Sequence, residues 1–141
     1  MSRFPAPCCI VPTAREHRAR ARQNLAFAES FDLANTVYID WVVTAYFYAA
    51  LHWVDALMAK HDNFDPGHHD IRREWVKNKW YLRPIKNEYF ELKDRSEGAR
   101  YRLDTYTSTK VKDVIIPLYK KIEEHAQQQL DEPPMIRVRL E

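Results

Sequence analysis

With 141 residues and a hydrophobic share of 45%, the chain has the length of one globular domain and enough apolar material for a core. Its only glycines, Gly67 and Gly98, exclude a Walker phosphate loop and a GxGxxG dinucleotide turn, because both need several residues free to take positive φ. The formal net charge of +2 lacks the excess of a dedicated nucleic-acid binder, yet it is striped. Residues 1–30 and 71–103 are basic, residues 31–70 carry six Asp against one Lys, and residues 104–141 are close to neutral.

Cys8 and Cys9 are adjacent and make no disulfide framework, which points to a reducing, cytoplasmic setting. The opening MSRFPAPCCIVP holds no continuous apolar core, so a secretory signal is not expected. Residues 1–12 read as an N-terminal arm, 13–130 as the folded unit and 131–141 as a tail.

Thr13 and Glu16 stand at capping-box spacing and predict a first helix over about residues 13–30. Ala14, Ala21, Leu25 and Ala28 form its apolar stripe, and Arg15, Arg18 and Arg22 share another. A second helix over about residues 33–61 is apolar nearly all round. Asp40, His52 and Asp55 make it too polar for a membrane span, so it reads as the centre of a bundle. The run from Asp62 to Gly67 breaks the helix.

A third helix spans about residues 69–80, with Ile71, Trp75 and Val76 inward. A fourth opens at Pro84 and buries Ile85, Tyr89, Leu92, Ala99 and Leu103. A fifth, over about residues 108–130, buries Val111, Val114, Ile115, Leu118, Ile122 and Ala126 and kinks at Pro117. In the tail, Ile136, Val138 and Leu140 alternate with Arg137, Arg139 and Glu141 at the strand period, as a strand added to another chain would. The expected fold class is all-α, an up-and-down bundle of four or five helices with this short extension.

Tyr48, His52 and Asp55 share one face of the second helix, either as an oriented histidine base or as buried polar groups that satisfy one another. His61, Asp62, Asp65, His68, His69 and Asp70 crowd together, but their spacing matches no zinc or calcium motif, and no metal or other cofactor is expected. Arg72, Arg73, Lys77, Lys79, Arg83 and Lys86 lie among Trp75, Trp80 and Tyr81, cations and stacking surfaces suited to RNA or simply the wet faces of helices.

The stretch from Ala45 to Leu57, AYFYAALHWVDAL, resembles the YYAxxHxxxAL helix of the HEPN superfamily of small helical bundles. Pro66 to Arg72 is similar to that family's third-helix opening, where a histidine follows the turn. Tyr89 to Leu92 followed by Arg95 to Tyr101 resembles its YxxLxxxRxxADY stretch, with Arg100 where an aspartate is common, and Ala21 to Ala28 fits its first helix. The resemblance covers about residues 14–126. It implies a bundle that dimerises through its helices and works in toxin–antitoxin or antiviral systems beside a nucleotidyltransferase. Many members are metal-independent ribonucleases with an arginine four to six residues before a histidine; none of the six histidines here has one.

The resemblance therefore implies a non-catalytic binding or regulatory component, homodimeric and cytoplasmic, with RNA or a nucleotide as ligand. Tyr48, His52, His69, Arg72, Arg73, Arg100 and Tyr101 are its candidate binding residues. A divergent ribonuclease using His52 or His69, with Arg100 nearby, is the alternative, and a purely structural partner that docks through its tail is a third.

Overall fold

A computed structural model describes residues 11–132. The expected strand over residues 135–141, and Cys8 and Cys9 of the arm, lie outside the described residues. Thr13 caps the first helix, α1 (Ala14–Glu29), as expected: its hydroxyl accepts from the Glu16 amide and the Glu16 carboxylate accepts from the Thr13 amide. The second helix, α2 (Ile39–Asp62), begins about six residues later than periodicity suggests. Asp32 explains the delay. Its carboxylate accepts from the Ala34 amide and the Asn35 side chain, and its carbonyl accepts from the Thr36 amide. These local bonds offer residues 32–36 a turn in place of a helix.

Asn63 ends α2 in the left-handed region, with φ of 50°, and Gly67 follows with φ of 68°. After this turn come α3 (His69–Asn78), a 3-10 segment (Trp80–Ile85) holding Pro84, and α4 (Lys86–Tyr101). The last helix, α5, runs through three consecutive parts: Ser108–Lys110, a π-helical turn Val111–Ile115, and Ile116–Asp131. The kink expected at Pro117 takes the form of that π turn, in which the Ile116 amide bonds the Val111 carbonyl just before the proline.

The five helices form an all-α, up-and-down bundle, and no strand occurs among the described residues. Fifteen of the 24 residues of α2 are buried, and the helix packs on α1, α4 and α5. It is long and apolar enough to cross a membrane, yet 83% of its most apolar window is covered by its neighbours. Ala21 and Ala28 present small side chains to α2, so α1 approaches it closely. Phe47, Trp53, Leu57, Tyr89, Leu92, Ile115, Tyr119 and Ile122 fill the centre.

Two inward assignments change. Ile71 is exposed and Arg72 takes the buried place on α3, because a carboxylate on α2 faces that position. Leu103 is 83% exposed, since α4 has already ended at Tyr101 and the chain turns away with Leu103 at φ of 57°. Trp75 is half-buried with its ring parallel to Phe64 at 3.9 Å.

Within the core the fully buried Trp53 donates its indole N–H to the Tyr119 hydroxyl at 2.9 Å, and that hydroxyl donates to Glu123 at 2.6 Å. Tyr119→Phe orphans the indole N–H, with an expected loss of about 1–3 kcal/mol in urea unfolding. At the end of α2, His61 stacks on Tyr81 at 4.4 Å, and burial holds its pKa below the ordinary 6.5. The neutral ring therefore stabilises the fold above pH 6.5, and that contribution is lost as the pH falls and the unfolded chain takes up the proton first. An NMR titration is expected to place the His61 midpoint below 6.5.

Candidate functional site

The polar groups of α2 meet partners from every element around them. Asp55, 2% exposed, receives two hydrogen bonds from Arg72 of α3, Nε to Oδ1 at 2.8 Å and Nη2 to Oδ2 at 2.9 Å. This fork-on-fork geometry fixes α3 on α2. Burial pushes the Asp55 carboxyl pKa up, a rise that the hydrogen bonds and charge of Arg72 moderate. Arg72 is itself buried, so its guanidinium organises the site from within and is not presented to solvent. Its Nη1 lies 3.3 Å from Nδ1 of His69, an exposed ring at the start of α3.

One turn before His52, the Tyr48 hydroxyl accepts a hydrogen bond from Arg100 Nη1 at 3.0 Å. Arg100 also donates to the Ser96 carbonyl and hydroxyl, both at 3.2 Å. Its guanidinium lies 5.0 Å from the Tyr101 ring and 5.5 Å from that of Tyr48. No carboxylate stands within ion-pair distance of Arg100 among the described residues. Lys93, by contrast, is paired with Glu97 at 2.7 Å. Partial burial of the His69 ring, followed by the charges of Arg72, Lys93 and Arg100, lowers its pKa.

His52 is half-buried, and its Nδ1 lies 3.2 Å from Nδ1 of His17, a buried residue of α1. Burial first, and then the charges of His17, Arg20 and Arg72, bring the His52 pKa down to about 4. The ring is thus neutral near pH 7. Beyond His17, the Asp65 carboxylate of the α2–α3 loop stands 3.3 Å from Nε2. Sequence spacing linked Tyr48, His52 and Asp55, but His17 lies 35 residues from His52 and only the α1–α2 packing brings them together.

Among the expected binding residues, Tyr48 and Arg100 are joined by a hydrogen bond, the charge of Arg100 reaches His69, and Tyr101 lies beside the guanidinium with 73% of its surface exposed. Arg73 is exposed on the outer face of α3. The aromatic residues near it divide: Trp75 is stacked on Phe64, Tyr81 is buried and donates to Asp62 at 2.5 Å, and Trp80 remains half-exposed. The ligand-rich run from His61 to Asp70 does not converge. His61 faces Tyr81, Asp62 accepts from Tyr81, and Asp65 faces His17. On α1, Arg18 pairs with Asp131 at 3.1 Å, whereas Arg15 and Arg22 are exposed.

Compared with protein-family models, curated proteins and solved structures, the chain matches none.

Replacing one partner of the buried pair leaves the other charged and unpaired. Arg72→Met is expected to destabilise by about 3–5 kcal/mol, and Asp55→Leu/Arg72→Met to recover most of that loss. Chemical denaturation of the two variants checks the contrast.

Proposed function

We propose that this bundle is a HEPN-like, non-catalytic binding component that captures RNA or a nucleotide at the polar cluster of Tyr48, His69 and Arg100, carried by α2, α3 and α4. The observation that carries the reading is Arg100: a half-buried guanidinium held by a tyrosine hydroxyl and a serine, with no carboxylate in ion-pair contact among the described residues, its charge reaching Glu97, which is bonded to Lys93. A phosphate is the ligand that such a cation attracts, and the planar fork can bind it through two parallel hydrogen bonds. His69, whose Nδ1 accepts from Arg72, turns its one remaining ring N–H at Nε2 to the same region, and exposed Tyr101 offers a face on which a base can stack. In this reading Arg72 positions His69 and does not touch the phosphate.

Binding is favoured over cleavage by the surroundings of the two rings. A metal-independent ribonuclease needs an acid and a base free to act on one phosphate, whereas His52 is turned to His17 and His69 to Arg72. The resemblance extends the proposal to a cytoplasmic homodimer in a toxin–antitoxin or antiviral system, with a nucleotidyltransferase as partner protein.

The test is the affinity for a single-stranded RNA oligonucleotide across salt concentrations. Wild type is expected to bind in a salt-sensitive way, and Arg100→Ala to weaken binding and lower the logarithmic salt slope by about 0.7 for each phosphate that is no longer neutralised. Absence of salt-sensitive binding by wild type, or an Arg100→Ala variant indistinguishable from it, overturns the reading. Cleavage of that RNA in the presence of a chelator revives the ribonuclease.

A further inference from the structure

His17 of α1 and His52 and Asp55 of α2 each place one ligand atom within 4.8 Å of the other two. We infer that these three side chains form a binding site for a divalent cation of the zinc class, with Asp65 as the carboxylate that orients His17. The inference is independent of the RNA-binding reading, which rests on Arg100.

The first support is the distance between the histidines. Two imidazole nitrogens bound to one zinc at the usual 2.0–2.1 Å, with a tetrahedral angle between them, lie about 3.3 Å apart. Here Nδ1 of His17 and Nδ1 of His52 are 3.2 Å apart. The third ligand comes from the same helix: His52 and Asp55 are three residues apart on α2 and so share a face. The Asp55 oxygen lies within 4.8 Å of both nitrogens, so it must move closer for all three to hold one ion. Each oxygen of Asp55 already accepts one hydrogen bond from Arg72 and keeps a second lone pair for a metal.

The second support lies on the far side of His17. Nε2 of this buried ring closes no hydrogen bond, yet the Asp65 carboxylate stands 3.3 Å away. When Nδ1 binds a metal, Nε2 must carry the proton, and an acceptor placed there steadies that tautomer and raises the ring's basicity as a ligand. The Asn63 and Gly67 backbone conformations turn the loop that carries Asp65 over α1.

Charge and ligand chemistry select the ion. Asp55 and Asp65 bring two negative charges to the locus, with Arg72 bonded to Asp55 and the charge of Arg20 also reaching His52, so a bound dication meets carboxylates on two sides. Two imidazoles and one carboxylate suit zinc, and not magnesium or calcium, which take oxygen ligands. Three protein ligands leave one coordination position for water.

The test uses tag-free full-length protein freed of metal by a chelator and then titrated with Zn2+ alone, with Co2+ as a spectroscopic reporter. One Zn2+ per chain is expected for wild type and for His125→Gln, whose ring is engaged with the Tyr81 carbonyl. Cobalt is expected to show tetrahedral ligand-field bands. His17→Gln and His52→Gln should abolish uptake while retaining the helical circular dichroism of wild type. Asp65→Asn, which alters only a loop side chain, should weaken affinity about 10–100-fold. Failure of wild type to take up Zn2+ overturns the inference. So does uptake that survives in His52→Gln but disappears in Cys8→Ser/Cys9→Ser, because the metal then sits on thiols.

Discussion

The Asp55–Arg72 ion pair is the constraint around which the molecule is arranged. A helix as deeply covered as α2 is favourable only if its polar side chains find partners, because an isolated buried carboxylate costs several kcal/mol in lost hydration. Arg72 answers Asp55 with two aligned hydrogen bonds, and this decides how the short α3 is rotated about its axis. With Arg72 inward, Val76 is buried one turn later and Ile71 is left at the surface. The rotation also sets His69, one turn earlier, where its Nδ1 meets Arg72 and the charge of Arg100 reaches it.

Apolar periodicity made the five helices legible, because α1, α2, α4 and α5 bury much of the surface that their spacing marks. The capping box of Thr13 and Glu16 was legible for the same local reason. Departures arise where a longer-range or competing interaction intervenes. Asp32 draws residues 32–36 into turns, Arg72 displaces Ile71 from the interior, and the missing amide of Pro117 is accommodated by a π turn one step upstream. Each of these outcomes depends on a partner that hydrophobic periodicity does not weigh.

The candidate site was legible only as far as one helix reaches. Tyr48, His52 and Asp55 follow from spacing along α2, and Arg100 from its place in the resembling stretch of α4. His17 carried no comparable signal. On α1 it looks like a polar interruption between arginines, and its meaning depends on the close antiparallel approach to α2 that Ala21 and Ala28 permit. Asp65 is similar, since a turn closed by Asn63 and Gly67 brings it back over α1. Helix-to-helix registry, not residue type, assembles that half of the site.

The two ends of the polar seam on α2 obey different rules. At the Asp55 end opposite charges meet out of water, and their two aligned hydrogen bonds hold α3 in place. At the Tyr48 end the arginine meets a hydroxyl, which fixes the direction of the guanidinium without neutralising it. A carboxylate at position 48 would hold Arg100 more tightly and would also occupy the fork that a phosphate needs. The hydroxyl keeps the guanidinium oriented without an ion pair, and the charge of Arg100 is felt instead by Glu97, which Lys93 holds.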